Sequence, residues 1–375
     1  MTLSKEELYC SLALNLVPGI GPGLFKTLLS YHRSAEAIFS SKAEILSKTP
    51  GIGTTLAHRI LSFYKEERKI IDKEWAFIEK NNIYVLPYHS PEYPQKLKSI
   101  NVAPSLLFYK GATPVNAFTR TVAVVGTRKA TPYGLHVTKK IVEEMKAYHV
   151  CIVSGLAYGI DVAAHKAALE LEVPTLAVVA HGLDRIYPST HAPIARRMTE
   201  MGGILTEYPS GVKPDRENFP LRNRIVAGIC DVIIVVEAAE SGGALITADF
   251  ASSFNREVFA VPGRITDLYS NGTNHLIRLE KAFMYTSAED VVKKVGWDHP
   301  LNSSHKPRMV QINLLPDLTD IEQEVYQAIK EREKIHIDQL RDITDLPLSR
   351  LIPILTELEI KGVVLGLPGK IYQAL

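Results

Sequence analysis

Only three cysteines occur in 375 residues, Cys10, Cys151 and Cys230, and they are far apart, odd in number and set in apolar stretches. That excludes a disulfide framework and a cysteine-built metal site, and points to buried thiols in a reducing compartment. Charge of one sign is scarce too: 43 lysines and arginines against 41 aspartates and glutamates leave +2. Bulk electrostatics cannot then coat a polyanion, so any such binding must come from focused patches. No apolar run approaches the roughly 20 residues of a membrane span, and the start, MTLSKEELYCSLALNLVPG, carries acids where a secretory leader needs positive charge. A cytoplasmic protein with no membrane span is expected. The glycine motifs of nucleotide cofactors are missing as well. No GxxxxGK[ST] occurs, and the first strand-like run leads into GTRKATPYG, whose glycines at 126 and 134 are too far apart for a GxGxxG turn. GIGPG has close glycines but lies between helices. No cofactor is expected.

What the chain does contain divides into segments, and its length suggests two or three domains. The expected division is 1–79, 80–297, a linker over 298–316, and 317–375. The first segment holds an internal repeat, NLVPGIGPGLFKTLL at Asn15 to Leu29 and LSKTPGIGTTLAHRIL at Leu46 to Leu61. Each copy reads helix, Pro-Gly-Ile-Gly turn, helix, the pattern of a helix-hairpin-helix. Such turns can offer amides to a phosphate, with Lys26 and Lys48 near them, or they can serve as a packing module. From Arg120 short apolar strands alternate with amphipathic helices: Thr121 to Gly126, Val150 to Gly155, Thr175 to Ala180, Gly203 to Glu207, Asp231 to Ala238 and Glu257 to Gly263. Runs this rich in valine and isoleucine fit strands buried on both faces, hence an α/β fold with a doubly wound, mostly parallel sheet. WDHPLNSSHKPRMVQINLLPDL reads as a linker. Beyond it, Leu318 to Leu375 predicts three helices, the third over Leu348 to Lys361, then a Pro-Gly hairpin: a winged helix. Its third helix carries Ser349 and Arg350 but is otherwise mainly apolar, so a protein-binding role fits it as well as DNA binding.

Ligands of open parallel sheets bind beyond the carboxyl ends of the strands. The residues there are Gly126-Thr127-Arg128, Ser154-Gly155, His181-Gly182, Glu207-Tyr208-Pro209, Glu237-Ala238 with Ser241-Gly242-Gly243, and Pro262-Gly263. Small residues let a ligand approach the backbone, and Ser241-Gly242-Gly243 precedes a helix whose first amides suit phosphate. Between strands lies RENFPLRNR, with Arg216, Arg222 and Arg224 around Phe219 and Asn223. Guanidinium forks match phosphate oxygens, and a ring offers a base a stacking face. If Pro220 opens a helix, Arg222 and Arg224 point about 200° apart and cannot hold one phosphate. One is expected to contact the ligand and the other to be held by Glu207 or Glu237. Those two carboxylates could form an acid/base pair on neighbouring strands, but salt bridges to the arginines explain them better. Asp161 and His165, four apart on a helix, invite a metal or general-base reading, yet a helix cap and a hydrogen-bonded buried histidine account for the spacing.

The ordered blocks VAVVGTRKATPYG, SGLAYGIDVAAH, GLDRIYP, TEYPSG, NFPLRNRIVAG, VVEAAESGGALITADFA, REVFAVPG and GTNHLIR closely resemble the DprA (Smf) DNA-processing family over about residues 80 to 290. The repeat before them and the winged helix after them resemble the family's SAM-like and winged-helix flanks. The resemblance implies an extended Rossmann-like domain in a non-enzymatic protein of natural transformation. Such a protein binds single-stranded DNA, protects it, loads a RecA-type recombinase and dimerises through that domain. Carried over by position, the binding residues would be Gly126, Thr127, Arg128, Ser154, Gly155, Arg216, Phe219, Arg222, Asn223, Arg224, Ser241, Gly242 and Gly243. Thr127 replaces a common serine and keeps its hydroxyl. Leu279-Glu280 replace small or polar residues, which leaves the dimer and recombinase surfaces unassigned. The rival is a phosphoribohydrolase-like nucleotide-processing enzyme of the same architecture. Its glycine turn is normally PGGxGTxxE, and ESGGALITADF lacks the glutamate that would do the chemistry.

Overall fold

The structure, a computed structural model, describes residues 3–297 and 318–374 apart from 333, 362 and 368. The linker expected over 298–316 lies outside them. The chain forms two compact units, 1–303 and 304–375.

The first unit begins with six helices, α1 (Lys5–Leu16), α2 (Pro22–His32), α3 (Ala35–Ser40), α4 (Ala43–Leu46), α5 (Thr54–Glu66) and α6 (Arg68–Lys80). Both expected turns are present. Gly19 and Gly51 take φ of 93° and 80°, values that favour glycine, while Ile20 and Ile52 plug the turns from inside. The repeats pack reciprocally. A Cβ on Gly51 would stand 2.8 Å from Leu24, and one on Gly19 would stand 3.7 Å from Leu56, the matching leucine of the other copy.

A nine-stranded sheet follows, comprising β1 (Tyr84–Pro87), β2 (Leu106–Lys110), β3 (Thr121–Val125), β4 (Cys151–Ser154), β5 (Thr175–Val178), β6 (Gly203–Thr206), β7 (Val232–Val235), β8 (Glu257–Ala260) and β9 (Phe283–Met284). Their order is β1-β2-β6-β5-β4-β3-β7-β8-β9. Pairing is parallel from β6 to β9 and antiparallel at β1-β2 and β2-β6. The helices between strands are α7 (Gln95–Lys98), α8 (Pro132–Lys146), α9 (Ile160–Glu170), α10 (Ala192–Met201), α11 (Asn218–Ile229), α12 (Gly243–Ser253) and α13 (Asn271–Arg278), and α14 (Ala288–Val295) follows the last strand. Alternation along the strands feeds two cores. Ala123, Val125, Ile233 and Val235 face Ile225 of α11 and Ala248 of α12, whereas Val122, Val124, Val232 and Ile234 face Ile141 of α8 and Ala164 of α9.

All six expected strands form, and each stops short of its expected carboxyl end because the chain there leaves the sheet to build loops. Strands β1, β2 and β9 were not anticipated. One expectation is corrected: Glu207 and Glu237 do not end neighbouring strands, since β5, β4 and β3 lie between β6 and β7.

The boundary expected at residue 80 falls inside this unit. Leu12 and Ile78 share a core with Val85, Leu106 and Phe108 of the first two strands. Glu7 of α1 accepts the amides of Ala35 (2.8 Å) and Glu36 (3.0 Å) and pairs with His89 Nε2 at 2.7 Å. Burial pushes the Glu7 carboxyl up, but the bonds from His89 and the two amides outweigh it and hold it below its ordinary 4.5. A depressed carboxylate contributes stability above its unfolded value and loses it as pH falls through the folded one. Glu7→Gln should therefore lower the urea midpoint at pH 7 and shrink that deficit below pH 4.5. Urea melts at several pH values check this, and a deficit that grew toward acid would contradict it.

The second unit comprises α15 (Asp320–Lys330), β10 (Lys334–His336), α16 (Ile337–Thr344), α17 (Leu348–Ile360), β11 (Val364–Leu367) and β12 (Ile371–Ala374), with the strands in the order β10-β12-β11. Thr319 and Glu322 form a capping box on α15. Lys361 pairs with Glu322 at 2.6 Å, and Leu351, Leu355 and Leu358 of α17 fill the core. This is the three-helix, hairpin-ended unit expected, with Ser349 and Arg350 exposed.

Candidate functional site

Strand order reverses at β3: β4, β5 and β6 lie on one side of it, β7 and β8 on the other. Crevices form at such reversals. A cavity of about 1150 Å³ opens here, bordered by the loops that follow β3, β4 and β7 and by the ends of α11 and α12. Gly126, Thr127, Arg128, Gly155, Arg216, Phe219, Arg222, Asn223, Ser241, Gly242 and Gly243 all line it. Ser154 and Arg224 do not. Ser154 is fully buried and donates its hydroxyl to the Val124 carbonyl at 2.7 Å, so it ties β4 to β3.

The floor is backbone held in tight register. Thr127 donates its amide to the Glu237 carbonyl (2.8 Å) and accepts that of Ile160 (3.2 Å). A Cβ on Gly126 would come within 2.5 Å of Ile160, and one on Gly159, where φ is 76°, within 2.1 Å of the Thr127 carbonyl. Gly242 differs: a Cβ there would meet nothing within 4 Å. No protein packing requires glycine at that point, but a ligand pressed against the first amides of α12 would. Asn223 Nδ2 donates to the Gly243 carbonyl at 3.1 Å and so anchors this turn to α11.

One wall is cationic and aromatic. The Arg128 guanidinium lies over the Phe219 ring, 5.1 Å from its centroid, and the Phe219 ring is 6.0 Å from that of Tyr187. Arg128, Lys129 and Arg216 are exposed, and among the described residues none has a carboxylate within ion-pair distance. Three cations thus stand on one rim, although Glu240 and Asp249, the latter paired with Lys281, also line the cavity.

The two inner arginines of RENFPLRNR diverge, as the helical turn requires. Arg224 pairs with Glu207 at 2.5 Å, the carboxylate expected to hold one of them. Arg222 is the deeper of the two. It is 4% exposed, donates Nη1 to the carbonyls of Gly155 (2.7 Å) and Val178, and donates Nε to Asn223 Oδ1 (3.2 Å). Burial pushes the Asp161 carboxyl up and the Arg222 guanidinium down, and the charge each sets beside the other offsets only part of that. A Cβ on Gly155 would stand 2.5 Å from the Arg222 guanidinium.

The other titratable groups are committed to structure. Glu237 does not hold an arginine: it accepts the amide and hydroxyl of Thr131 at the start of α8, the amide at 3.0 Å. Asp161 accepts the Gly155 amide at 3.1 Å, and His165 pairs through Nδ1 with the Thr175 hydroxyl at 2.7 Å. Burial drives the His165 imidazole down to about 3, which keeps it neutral. Lys26, five residues past Gly21 in α2, lies 4.2 Å above the Tyr88 ring.

Tyr187 was not foreseen as a site residue. Its block, GLDRIYP, was legible, but only the fold sets it beside Phe219. His181 Nε2 accepts its amide at 3.2 Å, and burial lowers that imidazole so the nitrogen stays free to accept.

A doubly wound sheet with a glycine-floored, arginine-walled cleft at its switch point defines a Rossmann-like protein suited to a phosphate-bearing ligand with stackable rings. The chain belongs to the DNA recombination-mediator protein A family, that of DprA and Smf, whose model matches residues 84–296. Residues 313–370 match the DprA winged helix domain and residues 11–66 the SAM-like helix-hairpin-helix tandem. It is 32% identical to Protein Smf of Synechocystis, with 99% of each chain covered, and 34% identical to Protein Smf of Escherichia coli, with 80% of each covered. Against the putative DNA processing protein DprA of Mycobacterium tuberculosis identity is 40%, over 65% of this chain and 61% of that relative's length. The X-ray structure of DprA from Streptococcus pneumoniae superposes with a TM-score of 0.66 at 33% identity, covering 78% of this chain and 99% of that one. A Helicobacter pylori structure described for its single-stranded DNA binding mode gives 0.52 at 28% identity, covering 58% and 97%.

Proposed function

We propose that the cleft binds single-stranded DNA, and that the protein is a cytoplasmic binder, not an enzyme, that protects incoming strands and loads a RecA-type recombinase during transformation. The observation that carries the reading is the rim itself: three exposed, unpaired cations beside a half-buried aromatic ring, above amides with open space over Gly242. Phosphates would lie along Arg128, Lys129 and Arg216 and on the amides after Ser241, with bases against Phe219 and Tyr187. Arg222, Asn223, Arg224 and Ser154 would support these contacts from behind. Binding is assigned to residues 80–297, with dimerisation through the same region so that two clefts share one strand. The non-enzymatic reading is supported by Asp161, Glu207 and Glu237, each engaged by a structural partner instead of facing a reacting atom. Titrating labelled single-stranded and duplex oligonucleotides against the full chain tests this. Tight, salt-sensitive binding with strong single-strand preference is expected, and no base release from nucleoside monophosphates. Equal affinity for duplex, or steady base release, would overturn it.

A further inference from the structure

Between β6 and α11 the chain runs from Glu207 to Glu217 without helix or strand, and this segment brings Pro214 and Arg216 to the cavity rim. Its near end is gripped from the helical region. Glu74 of α6, 7% exposed, accepts the Ser210 amide at 2.8 Å and the Ser210 hydroxyl as well. One residue on, Gly211 donates its amide to Asp184 at 3.0 Å. Glu207, where the segment leaves β6, is fixed by Arg224, with Lys26 of α2 close enough to Arg224 to feel its charge.

Withdrawing a carboxylate from water is costly, and both oxygens of this one are spent on a single residue of a loop that has neither helix nor strand. Apolar packing would have anchored α6 without that cost. What the carboxylate adds is directional: two bonds fix the position of one peptide unit, which packing alone does not.

We infer that Glu74 is a positioning residue for the cleft, and that the helical region acts as a strut setting the loop, and with it Arg216 and Phe219, before a strand arrives. This rests on the single-strand reading of the cleft. A loop ordered in advance binds more tightly because its ordering entropy is not lost at the binding step.

The test uses the full chain as wild type, Glu74→Ala, Glu74→Gln and Ser210→Ala, with a single-stranded oligothymidylate and amide hydrogen exchange across 208–218. Glu74→Ala should weaken binding about tenfold. Its salt slope should stay unchanged, since no phosphate contact is lost, and exchange should quicken only in the loop. Glu74→Gln retains an acceptor oxygen and should bind within about threefold of wild type, and Ser210→Ala should weaken binding less than Glu74→Ala. Wild-type affinity and loop exchange in Glu74→Ala would overturn the inference. So would exchange quickened throughout the sheet, or no rescue by glutamine, because either marks a general loss of stability. If wild type itself binds no single strand, the reading of the cleft fails, while loop exchange still reports whether the strut exists.

Discussion

Replacing Arg222 by alanine should destabilise the first unit by roughly 2–6 kcal/mol, about 1–3 kcal/mol for each of the two buried carbonyls left without a donor. The guanidinium satisfies the carbonyls of Gly155 and Val178 and partly offsets Asp161, at the buried wall of the cleft. Without it, two acceptors and one carboxylate stay buried at the carboxyl ends of β4 and β5. Lysine should recover less than half, because one ammonium cannot reproduce a fork that reaches two carbonyls and Asn223 together. Urea melts followed by circular dichroism measure the effect. A loss under about 1 kcal/mol would show the cluster relaxing by itself. Arg224→Ala should cost less, since Glu207 is nearer solvent at 14% side-chain exposure.

Arg128→Ala should weaken single-strand binding by about 1–3 kcal/mol and reduce the salt slope by about 0.7, the share of one lost phosphate contact. The side chain is exposed, has no carboxylate within ion-pair distance among the described residues, and is oriented only by the Phe219 ring, so stability should scarcely change. Phe219→Ala offers the internal contrast. A loss of about 1–3 kcal/mol is expected from the missing stacking face, with the slope preserved apart from what the loosened Arg128 contributes. Fluorescence anisotropy titrations at four salt concentrations separate the two effects. Unaltered affinity and slope in Arg128→Ala would remove it from the site.

The strands were legible because valine and isoleucine runs buried on both faces leave few alternatives to a parallel sheet, and the paired Pro-Gly-Ile-Gly turns announced the hairpins. The edge strand β1 and its neighbour β2 were not, since YVLP and LLFYK are short and lack alternation. Among site residues, the divergence of Arg222 and Arg224 followed from helix geometry, whereas the choice of Glu207 over Glu237 as partner came only with the fold. The role of Arg222 did not. A buried arginine and a ligand-gripping arginine look alike in sequence, and only the depth of α11 against β4 and β5 separates them.

The sequence by itself determined the architecture and which loops meet: hydrophobic period sets the strands, and the strand-end rule gathers their loops. Tertiary structure alone decided what each charged group does there. Glu237 was a candidate partner for arginine and proved to hold Thr131, the cap of α8, Lys26 turned to the Tyr88 ring, and Glu74, on a helix outside any motif, reached the site loop. The reason is range. Hydrophobic patterning is local and averaged over many residues, whereas a charge is satisfied by whichever group the fold brings within about 3 Å of it.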